Sequence, residues 1–426
     1  MARISACILL LGLFASPAVA QEATELQPAT ETSRFIFTSL LALAAGAGLI
    51  LLLAGFAARE AGVVRAKNAG ASAVKAVALV AVSSLAAWLV GYNLIFSVEA
   101  GGFLGDFSVW APNEEGASAI SDAARFLYVA LGGAAGAAIL AGAVAERIRF
   151  WPFLVFTAAY ASLVFPIAAS WTWGGGYLAA AWKFVDFGGA SLVHACGGWA
   201  ALAGAVIVGP RLARYDGEEP RVQPPSNPGL AAVGGLLIWL GLFAFMAGAL
   251  PSLSAAADAM ALARIFVNAQ LAAAAGVVAA IALTEIIYKR PDLNTLINGA
   301  IGGLVAISAG PAEPALWQAA IIGAFSGAIV TVTRPLFDRF RIDDAAGVLP
   351  AHLLCGIWGA LIVPWSNENA TYLGQAAGVV VTAAFSLTMS ILIWTLLRYT
   401  VGLRVSPERE LAGLDLRGEA APKPKM

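Results

Sequence analysis

Apolar segments of about twenty residues follow one another from residue 35 to residue 398, and a segment of that length and composition is suited to crossing a lipid bilayer. Twenty helical residues rise about 30 Å, the thickness of the hydrocarbon core, and a helix bonds its own backbone N–H and C=O groups where no water can. The segments lie near 35–57, 71–96, 123–145, 152–171, 188–208, 229–250, 260–287, 294–310, 316–333, 346–365 and 372–398, eleven in all. Hydrophobic residues make up 60% of the chain and charged residues 12%, which is more apolar surface than one aqueous core can hide. The expected fold class is an all-α polytopic membrane protein with eleven transmembrane helices, held in a lipid bilayer.

The ends set the orientation. Arg3, the apolar run from Ile8 to Phe14 and Ala18-Val-Ala20 before Gln21 form the pattern of a cleavable secretory signal over 1–20. A short outer, periplasmic segment over 21–34, a transmembrane domain over 35–398 and a cytoplasmic tail over 399–426 follow from it, since an odd number of spans carries an external N-terminus to an internal C-terminus. The basic residues agree with the positive-inside rule. Arg59, Arg65, Lys67, Arg147, Arg149, Arg211, Arg214, Arg221, Lys289, Arg290, Arg334, Arg339 and Arg341 are assigned to cytoplasmic loops, and Arg34, Arg125, Lys183 and Arg264 to the opposite side. The outer loop from Ser97 to Asp122 carries Glu99, Asp106, Glu114, Glu115 and Asp122, which suits cation attraction and ordinary solvation equally.

A formal net charge of −1 offers no general attraction for nucleic acid. Cys7 leaves with the signal, and Cys196 and Cys355 lie in apolar spans, so no disulfide framework is implied. No clustered thiolate or carboxylate set suggests a metal, no phosphate loop suggests a cofactor, and no nucleophile triad gives an enzyme reading residues to stand on.

Two histidines occur in the whole chain, and their settings match. Asp186 precedes His194 by eight residues and Cys196-Gly-Gly-Trp199 follows; Asp344 precedes His352 by eight residues and Cys355-Gly-Ile-Trp358 follows. The topology runs the fifth span inward and the tenth outward. The two halves are therefore expected to be inverted five-helix repeats with an extra C-terminal helix, an arrangement that puts a functional path where the halves meet. The 45 glycines suit close helix packing without a hydrophobic driving force. A neutral imidazole pair in hydrocarbon satisfies itself through one ring-to-ring hydrogen bond and leaves the remaining nitrogens for a small polar molecule or a proton. Asp186 and Asp344, at the starts of their helices, read either as caps on free N–H groups or, for Asp186 on the outer side, as an attractor for a cation.

Six stretches carry a resemblance: 60–68 (EAGVVRAKN), 142–150 (GAVAERIRF), 173–176 (WGGG), 186–194 (DFGGASLVH), 343–352 (DDAAGVLPAH) and 400–415 (TVGLRVSPERELAGLD). Together they resemble the Amt/Mep/Rh ammonium transporter family, specifically its bacterial Amt members, over essentially the whole chain beyond the signal. The resemblance implies a homotrimer in the bacterial cytoplasmic membrane, serving nitrogen uptake, each subunit with a narrow apolar pore lined at mid-membrane by His194 and His352. In such proteins ammonium is recruited at an outer aromatic vestibule and deprotonated, ammonia crosses, and in bacterial members a proton follows by a separate route that rejoins the histidines, giving electrogenic net ammonium transport. Trp173 matches the recruiting tryptophan, whose ring face attracts ammonium, and Phe245 matches one of two stacked gate phenylalanines. A PII-type signalling protein that docks on the tail and plugs the inner mouth is the implied regulatory partner.

The outer site departs from the family. Counting back from Glu146, the other gate phenylalanine falls on Gly132, with Tyr128 one turn earlier, and the serine that accepts a bond from ammonium falls on Ala249. Leu242 and Met246 stand where the family has tryptophan and asparagine, and an aspartate between Asp344 and His352 is absent, with Gly347 near its place. Two outcomes follow from this: conduction with weaker ion selection, or a drift toward another small molecule or toward sensing through the tail.

Overall fold

The computed structural model describes residues 30–114, 119–217 and 219–415. The expected signal over 1–20, most of the segment over 21–34, Glu115 and the end of the tail fall outside the described residues. Among the described residues, nine helices are long and apolar enough to cross a membrane: α1 (Glu31–Val63), α2 (Ala66–Phe96), α3 (Asp122–Ala143), α4 (Phe150–Ser170), α5 (Ala190–Val208), α6 (Pro228–Gly248), α7 (Ala256–Tyr288), α9 (Leu316–Arg339) and α11 (Tyr372–Thr400). The other two apolar segments form shorter helices, α8 (Leu293–Ile307) and α10 (Leu349–Trp365), and a tail helix α12 (Pro407–Ala412) follows. A two-stranded antiparallel ribbon pairs Tyr215 with Pro220 and Asp216 with Glu219.

Local sequence starts the helices where expected. Thr30, Ser121, Asn227, Asp292, Thr371 and Ser406 each accept a bond from a backbone N–H in the first turn of the helix that follows, and Pro228 fills a first-turn position that needs no N–H. Several bounds differ from the sequence reading, because charged residues at helix ends were counted as loop. The first span was expected over 35–57 and its helix runs over Glu31–Val63. Arg59, assigned to a cytoplasmic loop, is therefore inside α1 and only 2% exposed.

Packing rests on small residues. Gly48, Gly55 and Gly62 of α1 face α6, and Gly234, Gly241 and Gly248 of α6 face α1. A Cβ on Gly55 would stand 2.6 Å from the Ile238 nitrogen, one on Gly241 2.6 Å from the Leu52 nitrogen, and one on Gly62 2.4 Å from the Ala231 nitrogen. Partners advance along α1 as they recede along α6, so the two helices run antiparallel with backbones in near contact at seven-residue intervals. A second seam joins α7, α8 and α9, where a Cβ on Gly276 would meet the Gly299 carbonyl oxygen at 2.2 Å. Such seams leave α3, α5, α8 and the start of α10 enclosed, and the two histidines project from α5 and α10.

Candidate functional site

The two histidines are delivered by the same local device. Asp186 Oδ2 accepts from the N–H of Ser191 (2.9 Å) and Leu192 (2.8 Å), Gly189 takes a left-handed turn at φ 74°, and a π-helical turn over Ala190–Ala195 carries His194. Asp344 Oδ1 accepts from the N–H of Gly347 (2.9 Å) and Oδ2 from Leu349 (2.7 Å), Gly347 turns at φ 72°, and a π-helical turn over Leu349–Leu354 carries His352. The positive φ favours glycine at both corners. Widened π turns are uncommon and occur frequently at functional sites. Both aspartates thus cap, as one of the two readings had it.

The imidazoles meet Nδ1 to Nδ1 at 3.2 Å, with ring centroids 5.2 Å apart, and neither residue is exposed. One proton lies between the two Nδ1 atoms, so in the neutral pair one ring donates there and the other accepts. Their Nε2 atoms must then differ, one bearing a proton and one a lone pair. Both Nε2 atoms are buried without a protein partner. The pair therefore offers one donor and one acceptor to a small polar guest.

Outward from the pair, Phe245 stands edge-on to His194 with centroids 6.3 Å apart. A Cβ on Gly132 would meet the Phe245 ring at 3.2 Å, so Gly132 faces that ring. The Tyr128 ring lies 5.6 Å from that of Phe245, and its hydroxyl donates to the Phe245 carbonyl oxygen at 2.7 Å. Ala249 ends α6 one turn beyond Phe245 and brings a methyl where the resemblance puts a hydroxyl. Trp173 is half-buried, and its Nε1 donates to the Asp186 carbonyl oxygen at 2.8 Å. The structure thus gathers Tyr128, Gly132, Phe245 and His194, and ties Trp173 to the cap that sets His194.

Sequence reasoning missed the inner half. Phe56 of α1 packs its ring 5.6 Å from that of His352, and Arg59, just under a turn further, bonds Asn298 and the backbone before His352. Glu60 and Lys75 form a buried ion pair at 2.7 Å. A charged side chain surrounded by apolar sequence was the available signal for all three.

Beyond these, the loops that carry Arg65, Glu146, Arg211 and Asp343 interlock. Arg65 and Arg211 both bind Glu146, and Arg211 holds Asp343 bidentately at 2.8 Å and 2.8 Å. Burial pushes the Glu146 carboxyl up, but Arg211 and Arg65 outweigh it and hold the carboxyl below its ordinary value. Burial opposes ionisation of Asp343 too, and its bonds to Arg211 hold it far below the usual carboxylate range. The tail joins the network: Leu212 N–H donates to Glu410 at 2.6 Å, and Leu414 N–H to Asn68 at 2.9 Å. Since Asp343 adjoins Asp344, the network also braces the cap that places His352.

A many-spanned helical membrane protein with two bonded imidazoles buried at its centre is the class these features define. The profile of the Ammonium Transporter Family matches residues 40–421. The ammonium transporter Amt2 of Archaeoglobus fulgidus is 32% identical over 410 residues, covering 89% of this chain and 86% of that protein. A putative ammonium transporter of Synechocystis is 35% identical over 407 residues, with 93% and 91% covered. Among solved structures, one named Sensor Amt Protein aligns with a TM-score of 0.85 at 28% identity, over 92% of this chain and 100% of that one. Mep2 of Candida albicans aligns with a TM-score of 0.79 at 24% identity, covering 89% and 88%, a likeness of fold. This chain belongs to the ammonium transporter family.

Proposed function

We propose that this protein carries ammonium across the membrane by passing ammonia along an apolar path beside His194 and His352. The observation that carries this reading is the Nδ1–Nδ1 pair, buried at 0% exposure with both Nε2 atoms unpartnered. A bare ammonium ion in this apolar enclosure loses its hydration and is strongly disfavoured. Ammonia needs one acceptor and one donor, and the pair supplies both. Trp173, Tyr128 and Phe245 guard the outer approach, Gly132 and Ala249 mark its lost members, and Asp186 and Asp344 fix the imidazoles as caps.

The reading takes eleven spans, with α8 and α10 as the short ones, an external N-terminus behind the cleaved signal and the tail in the cytoplasm of a bacterial cell. Reciprocal glycine contacts between antiparallel α1 and α6 support an inverted repeat, because a pseudo-twofold axis between equivalent helices makes each contact occur twice. A homotrimer, and a PII-type protein meeting the tail, complete the assembly.

A second reading, ammonium sensing with little flux, is favoured by the depleted outer site and by the likeness to Sensor Amt Protein. Reconstitution separates the two. Ammonia entry into vesicles that His194→Ala and His352→Ala abolish supports transport; tight ammonium binding with no entry above empty vesicles supports sensing and sinks transport.

A further inference from the structure

On the cytoplasmic side of the pair, Arg59 Nη2 donates to Asn298 Oδ1 (2.6 Å), to the Ala346 carbonyl oxygen (2.6 Å) and to Asn294 Oδ1 (3.0 Å). These acceptors lie at the start of α8 and in the turn six residues before His352, so the guanidinium bridges three elements of the enclosure. Asparagine and a peptide carbonyl are neutral. Among the described residues no carboxylate lies within ion-pair reach of Arg59, and the carboxylate acting on it most strongly, Asp344, already has both oxygens bonded to backbone N–H groups. Arg59 Nε is buried with no partner.

Gly347 adds a second observation. It stands near the place where the resemblance puts an aspartate, and a Cβ there would come within 2.6 Å of the Asn298 amide nitrogen, whose Oδ1 accepts from Arg59. Position 347 thus brings no carboxylate to the guanidinium. A guanidinium does not deprotonate in proteins, and in low dielectric its field acts over several ångströms.

We infer that Arg59 is the charge-selecting residue of the inner half of this path, admitting ammonia and barring ammonium and metal cations. The inference rests on the His194–His352 path proposed above. A cation leaving the pair inward meets a fixed positive charge that has no ion-pair partner, whereas neutral ammonia is not repelled by it. A clamp that only joins α1 to α8 and α10 is the competing role, and it makes no claim on charge movement.

The test uses the full chain in proteoliposomes with two readouts, ammonia entry and charge movement on a supported membrane, after pulses of ammonium or potassium. Wild type is expected to admit ammonia and to give no potassium-evoked current; a proton that follows ammonia by its own route gives an ammonium-evoked current without any cation passing Arg59. Arg59→Met and Arg59→Gln gain a potassium-evoked current about tenfold or more above wild type, and Arg59→Lys stays like wild type. A wild-type potassium current as large as its ammonium current overturns the inference without any variant, so misfolding cannot shield it. Equal potassium currents in all four proteins overturn it and leave the path standing. No ammonia entry by wild type above empty vesicles removes the path, and the Arg59 assignment with it.

Discussion

The Tyr128 hydroxyl donates to the carbonyl oxygen of Phe245 at 2.7 Å, tying α3 to α6 with the two rings 5.6 Å apart. Tyr128→Phe keeps the ring and strands the buried carbonyl. It should destabilise the protein by about 1 kcal/mol, seen as a lower unfolding midpoint in detergent, and loosen Phe245. An unchanged midpoint would mean that another donor reaches the carbonyl.

Gly132 faces Phe245 across 3.2 Å of space measured from an added Cβ. A methyl fits after a small ring movement, so Gly132→Ala should be tolerated within about 1 kcal/mol. Gly132→Phe combined with Ala249→Ser returns an aromatic and a hydroxyl to the outer site. The double variant should lower the ammonium concentration for half-maximal transport severalfold, through cation–π and hydrogen-bond capture. Unaltered half-saturation would detach this cluster from recruitment.

His194→Ala and His352→Ala each leave the opposite Nδ1 buried and unpartnered, at a cost of about 1–3 kcal/mol, and remove half of the donor–acceptor set. Ammonia entry should fall at least about tenfold in both variants, while binding at the outer mouth persists. Flux that survives both substitutions in folded protein would place the route elsewhere.

Much of this was legible because burial in lipid imposes simple rules. The apolar runs and the spacing of Asp186 to His194 and Asp344 to His352 can be read directly from residue types, and the structure repeats that spacing as one device of cap, left-handed glycine and π turn. The π turn itself was not legible, since it depends on which carbonyl each N–H finds once neighbouring helices are packed. Arg59 was misread for a related reason. A hydropathy window counts an arginine near a helix end as loop, and only the tertiary neighbours Asn294 and Asn298, more than two hundred residues away, show that it is enclosed.

Arg211 binds Glu146 and Asp343 together, with both carboxylates essentially unexposed. Arg211→Met leaves Glu146 with Arg65 and Asn68, and Asp343 with Arg214 and the field of Arg147, and should destabilise the protein by about 3 kcal/mol at neutral pH. Both carboxyls titrate below their unfolded values of roughly 4, so their contribution is present above that pH and lost as the pH falls through the depressed folded values. The gap between wild type and Arg211→Met should therefore narrow on acidification below about pH 4, measured by unfolding midpoint across pH. A gap that is constant with pH would show that the loss is one of packing.

Asp186 offers the sharpest separation between a structural and an electrostatic role. Its Oδ2 takes two N–H groups at the start of α5, its residue is 3% exposed, and its carbonyl oxygen holds Trp173. As a cap it needs an acceptor oxygen, which asparagine also supplies; as a cation attractor it needs the charge, which asparagine lacks. Asp186→Asn should therefore retain most transport and stability, and Asp186→Ala should lose about 1–2 kcal/mol as the π turn frays and His194 moves off its partner. Both variants measured side by side for ammonia entry and unfolding midpoint decide the matter. Equal loss of transport in Asn and Ala variants, with the Asn variant as stable as wild type, would make the charge itself the working part.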